Sequence, residues 1–413
     1  MWTLLLVWAC SGSLEAPAPV DVMEPPIIEP TAVVADTGDV PEDSGAEESP
    51  GAVRVGRRWY PTLQDAVAQA PAGSTLWVEP GVHFGPFERE NDWHITIRGS
   101  TGRREDVVLQ GPEGQGVFEF GWGIPMATVL RDLTVRTSRA GVPNHAMGVV
   151  YDGDLRLKAV LVDGGSTNHV LLVRGCTLLI EDTDFKGGAI ALSLTDQYPL
   201  TAEIRRTVFD GSMRGEEVGN RFVEVISRSW LLNLQVTFED CEFRDAHMGG
   251  GAVVVLRGPH PVATFRRSRF ANNTFGWGLG GSTMQGAALK VAPDSYLTPP
   301  SQADVLVEDC VFEDNVGEAG PSALRVDYAW DMREPTWMPL ATVTIRGTSF
   351  RRNVTGERTL RGGAIDAQQG ARLLLEDVDF GTGIDANLPS DIGCWTWEGR
   401  ELGEDFSAEI ECR

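Results

Sequence analysis

The segment Phe238-Glu239-Asp240-Cys241-Glu242-Phe243 is answered 27 residues later by Phe265-Arg266-Arg267-Ser268-Arg269-Phe270. The apolar ends are kept and the sign of the charges between them is inverted. The same shape recurs as LRDLTV ending at Val135, LKAVLV at Val162, IEDTDF at Phe185 and IRRTVF at Phe209. It continues as VEDCVF at Phe312, IRGTSF at Phe350 and LEDVDF at Phe380. Nine anchors span 245 residues, with gaps from 23 to 42. A period in this range marks a chain built from stacked units whose loops vary in length.

With the last residue of each segment as reference, the position five back reads Leu130, Leu157, Ile180, Ile204, Phe238, Phe265, Val307, Ile345 and Leu375. Seven back it reads Thr128, Leu155, Leu178, Ala202, Val236, Ala263, Val305, Val343 and Leu373. Alternate residues of a strand face one side, so both columns point into a core. Two back, the small residues Thr183, Thr207, Cys241, Ser268, Cys310 and Thr348 predict a tight bend there.

Four back, Glu181, Arg205, Glu239, Arg266, Glu308, Arg346 and Glu376 alternate in sign, and Arg131 and Lys158 precede them. Three back, Asp182, Arg206, Asp240, Arg267 and Asp309 alternate likewise. In-register parallel strands lie about 4.8 Å apart, so each charge is expected to have opposite charges above and below it. Such a ladder specifies register more than it stabilises.

Before the repeats, Thr62-Leu63-Gln64-Asp65 reads as a capped helix start, with Leu63, Ala66, Val67 and Ala70 at helical spacing and Pro71-Ala72-Gly73 as the stop. A strand over Thr75 to Val78, a Pro80-Gly81 turn and Val82-His83-Phe84 follow. This order resembles the N-terminal cap of right-handed parallel β-helices of the pectate-lyase-like class. The expected fold is all-β: a single-stranded right-handed parallel β-helix solenoid over residues 51–383, with a short N-terminal capping helix. The tail 384–413 breaks the repeat and is expected to cap the open end.

A second element follows the anchors: Gly188-Ala189-Ile190, Gly251-Ala252-Val253, Ala287-Ala288-Leu289, Ser322-Ala323-Leu324 and Gly363-Ala364-Ile365. Asn273, Asn315 and Asn353 each stand three residues after an anchor Phe. These motifs are similar to the repeats of chlamydial polymorphic outer-membrane proteins over residues 240–370. The asparagines are expected to stack as a side-chain ladder at a coil corner.

The chain has 413 residues, with 35 basic and 59 acidic side chains and a net charge of -24, which argues against nucleic acid as a partner. Residues 11–50 hold ten acidic residues, seven prolines and no Lys or Arg. Such a stretch reads as a disordered tether. Ahead of it, the apolar run from Met1 to Ala9 ends at Cys10. This resembles a bacterial lipoprotein signal, which implies export and lipidation of Cys10, with an outer-membrane-anchored or extracellular location. No apolar run is long enough to span a bilayer as a helix, so the lipid is the expected membrane contact. Cys394 and Cys412 flank the last loop and could form a disulfide after export. No CxxC or HExxH spacing appears, and no metal or cofactor is expected.

The site motifs of polygalacturonases and pectate lyases are not found, and most carboxylates fall in the alternating ladders. Candidates outside them are Asp163, Asp196, Glu216, Glu217, Asp327 and Asp331. The leading expectation is therefore binding or adhesion at a cell surface, possible partners being glycans; a polysaccharide lyase or glycoside hydrolase with a diverged site is the alternative, and envelope scaffolding a third. The longest gaps, Phe270 to Phe312 and Phe312 to Phe350, hold Trp277, Tyr296, Tyr328, Trp330 and Trp337 with Asp327, Asp331 and Arg333. Flat rings beside hydrogen-bonding groups suit sugar faces, and this is the expected ligand site.

Overall fold

A computed structural model describes residues 52–412 apart from 91, 114, 120–126, 138–144, 151–152, 166–168, 188–189, 197, 213–220, 229–233, 249–250, 277–286, 294–301, 318–322, 328–339, 357–361, 369–370 and 396–408. One turn of the chain shows how the repeat folds. The strand Leu234–Glu239 bends at Asp240 into Glu242–Arg244, then at Asp245 into the short strand His247–Met248. The strand Ala252–Arg257 follows, and Val262–Arg266 returns the chain beside Leu234–Glu239 in parallel register. Stacking such turns gives a 22-stranded sheet with two strands per coil, a nine-stranded sheet and a four-stranded sheet. The protein is a parallel β-helix.

The bends lie one residue earlier than expected. Asp132, Ala159, Asp182, Arg206, Asp240, Arg267, Asp309, Gly347 and Asp377, three before each anchor, all have φ between 47° and 56°. Aspartate tolerates this left-handed conformation better than most side chains, which accounts for its place at five of the nine positions. The small residue that follows turns inward instead. Thr183, Thr207, Ser268 and Thr348 each donate their hydroxyl to the carbonyl two residues back at 2.9–3.0 Å. Cys241 and Cys310 place Sγ against the corresponding carbonyls at 3.4 and 3.3 Å. Ser268 and Thr348 also accept from the backbone N–H of Cys241 and Cys310 in the preceding coil, at 3.2 Å. Burial pushes both thiols up to about 12, so they remain protonated donors.

The core is a set of columns. Phe185, Phe209, Phe243, Phe270, Phe312 and Phe350 stack ring on ring, with centroids 4.5–5.1 Å apart. That separation is the strand spacing itself. Asn273, Asn315, Asn353 and Asn387 form a buried ladder, each Nδ2 donating to the next Oδ1 at 2.8–2.9 Å. Asn387 belongs to the tail set apart as a cap. The strands Ile392–Trp395 and Glu409–Cys412 likewise extend the nine-stranded and the large sheet. The described strands of the tail therefore continue both sheets where the sequence repeat has already lapsed.

At the other end, the helix Leu63–Gln69 begins at Thr62, whose Oγ1 accepts from the Asp65 N–H at 3.1 Å. Leu63, Ala66 and Val67 are buried against the first strands. Arg89 holds the last turn, its Nη1 donating to the Val67 and Ala70 carbonyls.

Candidate functional site

On the nine-stranded sheet, residues such as Leu192, Val223, Val254, Leu289, Leu324 and Ile365 point into the barrel and are fully buried. The next residue of each strand points outward. Cross-strand register aligns these outward positions as Ser193, Glu224, Val255, Lys290, Arg325 and Asp366. Five steps of about 4.8 Å make this row roughly 24 Å long.

The row is outward-facing yet withdrawn from solvent. Glu224 is 4 % exposed, Arg325 5 % and Asp366 0 %. Ser193 Oγ donates to Glu224 Oε2 at 3.3 Å, and Arg257 Nη1 lies 3.9 Å from Glu224 Oε1. Two strands on, Lys290 and Arg325 are direct neighbours of the same sign. Asp327, just beyond the strand Leu324–Val326, answers both: its Oδ2 is 2.7 Å from Lys290 Nζ, and its Oδ1 accepts from Arg325 Nε.

Burial, the largest influence, holds the Lys290 ammonium below the ordinary lysine range against the opposing pull of Asp327, and Arg325 and Arg257 push the same way as burial. For Asp327 burial works to raise the carboxyl, but Arg325 and Lys290 outweigh it and hold it below the usual aspartate range. Two cations and a carboxylate, all largely desolvated, are costly to keep. Perturbed titratable groups gathered at one place mark a candidate functional site. Chemically, the group offers an amine of depressed basicity and a guanidinium that can face an incoming carboxylate.

Of the expected ligand residues, Asp327 is in this group. Trp277, Tyr296, Tyr328, Trp330, Asp331, Arg333 and Trp337 lie outside the described residues. They belong to the segments that precede and follow the strands Leu289–Ala292 and Leu324–Val326, which carry Lys290 and Arg325. Asp196 is buried beside the same sheet, accepting from Ser227 Oγ at 3.0 Å and from the Arg228 N–H. Asp163 is paired with Arg136 at 3.3 Å on the large sheet, away from the row. Glu216, Glu217 and Cys10 lie outside the described residues. Cys394 and Cys412 stand in strands of two different sheets, with their side chains outside the described residues.

Sequence reading did not pick out Ser193, Glu224, Lys290, Arg325 or Asp366. A signal was present: the motif copies ending in Leu289, Leu324 and Ile365 are each followed at once by an ionisable residue, Lys290, Arg325 and Asp366. Among the described residues, no cluster of three His, Cys, Asp or Glu side chains could hold a metal ion.

No family model matches the chain, and no curated protein matches it. Among solved structures it is similar to an alginate lyase from Paenibacillus sp. str. FPU-7, with a TM-score of 0.50 at 11 % identity, over 80 % of this chain and 94 % of that one. The likeness is one of fold.

Proposed function

We propose that the chain is a polysaccharide lyase of the pectate-lyase-like class, acting on a uronate-containing polysaccharide along the outward row of the nine-stranded sheet. The observation that carries this reading is the desolvated group Lys290, Arg325 and Asp327 on the outward side of this sheet, with Lys290 its cation most open to solvent. The activity named for the structural neighbour, alginate lysis, agrees with it. In such an elimination a base takes the proton from the carbon next to the carboxylate. The electron pair becomes the new C=C bond, and the glycosidic C–O bond breaks as its oxygen leaves and takes the proton that the base had removed. Lys290, with its depressed basicity, is the base; Arg325 faces the substrate carboxylate and offsets the charge that develops on it. Asp327 holds both side chains in place.

The test is incubation with alginate and polygalacturonate, following ultraviolet absorbance of the unsaturated product. Lys290→Met should lower turnover by about 100-fold or more while thermal unfolding shows a folded protein. Absence of unsaturated ends from the wild type would overturn the reading. Binding without turnover would favour the second reading, adhesion to surface glycans, which the closed pairing of both cations with Asp327 also suits. Export with a lipid anchor at Cys10 completes the proposal. Cys10→Ser should move the protein from a membrane fraction to a soluble one, and a wild type that is wholly soluble with Cys10 retained and unmodified overturns this part.

A further inference from the structure

The alternating ladder on the large sheet fails at its N-terminal end. Cross-strand register continues the column backwards from Glu181 through Lys158, Arg131 and Arg98 to Trp77. Three cations thus follow one another in a chain whose net charge is -24. Asp132 answers two of them, lying 2.9 Å from Arg98 and 3.1 Å from Arg131, and Glu181 stands 3.6 Å from Lys158. The guanidiniums of Arg54 and Arg98 lie 6.0 and 4.7 Å from the Trp77 ring centroid.

In the neighbouring outward column, Thr96, Val129, Arg156 and Leu179 follow one another. Arg156 therefore has Val129 on one side and Leu179 on the other, neither able to pair with it. Elsewhere on this sheet, Arg205, Arg266 and Arg346 each face a carboxylate. Arg156 instead lines an open groove of about 290 Å³, together with the exposed His94 and with Thr96, Ala127, Val129 and Asp154.

We propose that this groove is a second binding site, for a carboxylate-bearing oligosaccharide, on a different face from the row of Lys290 and Arg325. The sugar lies against the mixed hydroxyl and apolar side chains of Thr96, Ala127 and Val129. Its carboxylate meets the Arg156 guanidinium, whose planar fork matches a carboxylate. Arg131 and Lys158 in the next column add to the local positive field, against which Asp132, Asp154 and Glu181 act. Arg156 is exposed, so its replacement is expected to leave the fold intact.

The experiment is titration calorimetry of the full chain with a saturated uronate oligosaccharide, carried out in the Lys290→Met background so that the other face does not turn it over. Arg156→Ala in that background should weaken binding about tenfold or more with no change in melting temperature, and Arg156→Lys should restore it in part. A neutral oligosaccharide of the same length should not compete. An unchanged isotherm for Arg156→Ala, or no binding in either protein, overturns the proposal. Equal competition by inorganic phosphate would reduce the groove to a simple anion site and overturn it as well. Because turnover is not read, these outcomes are independent of whether the row is catalytic.

Discussion

Along the large sheet, Glu181, Arg205, Glu239, Arg266, Glu308, Arg346 and Glu376 stand partly exposed and alternate in sign from coil to coil. Along the nine-stranded sheet, at the same strand spacing, Lys290 and Arg325 are adjacent and alike, Asp366 follows Arg325, and Asp327 from beyond the strand contacts both cations. The first row balances within itself and remains solvated, so each pair contributes little and the pattern mainly opposes register slips. The second is desolvated and does not alternate, placing two like charges side by side, an arrangement that stability alone does not favour. What separates a structural row of charges from a functional one is therefore its sign pattern together with its burial.

Removing Asp327 tests this contrast most severely. Asp327→Asn removes the carboxylate that contacts both Lys290 and Arg325, and the expected loss is about 3–5 kcal/mol in urea unfolding. If the loss is no greater than that for Asp182→Asn on the exposed ladder, the desolvated group is not what it is taken to be. The Asn ladder is neutral and fully buried, and so separates burial from charge. Asn315→Ala strands the Phe270 carbonyl and the donors of Asn273, each loss costing on the order of 1–3 kcal/mol.

On the exposed ladder, Arg205→Glu puts a third carboxylate between Glu181 and Glu239, which now approach Arg205 at 4.0 and 3.5 Å. Its cost should be roughly 0.5–1 kcal/mol at low salt, with partial recovery on adding Glu181→Arg and Glu239→Arg. An unchanged melting temperature at low ionic strength would mean that these positions do not feel one another.

Acid provides the mildest probe. Hydrogen bonds from Arg206, Arg267, Arg352 and Arg351 hold Asp182, Asp240, Asp314 and Asp379 below the ordinary aspartate value of 3.8. Groups with lowered folded values contribute stability that is fully present above 3.8 and is lost as pH falls through those lower values. The melting temperature should hold from neutral pH to near 3.8 and then decline, less steeply in high salt, where the pairs are already screened. A decline that begins near neutrality would point to groups outside the ladders.

Much of the architecture is legible in particular residues because the same physical demand returns every coil. Phe243, Phe270 and Phe312 can be aligned by eye since each must fill the same corner of the barrel. Bend geometry was less legible. Asp240 and Cys241 are neighbours, and composition alone did not say which turns left-handed and which turns inward to donate to a carbonyl. Asn387 escaped because it lacks the Phe spacing of the other rungs, although its side chain continues their hydrogen bonds. Of the site, Asp327 stood out in sequence as a carboxylate beyond the ladders, while Lys290 and Arg325 looked like isolated charges in apolar strands.

The amino-acid sequence by itself determined the coil, its inward columns and the exposed charge ladder. Each of these is a relation between residues one repeat apart, and parallel stacking converts a repeat in sequence into contact at one strand spacing. The row of Ser193, Glu224, Lys290, Arg325 and Asp366 has no such internal rule. Its members differ in type, and the segments that separate them differ in length, so only the tertiary register of the nine-stranded sheet brings them into line. Their desolvation was likewise decided by the fold, because burial depends on what the rest of the chain places around a residue and not on the residue's own strand.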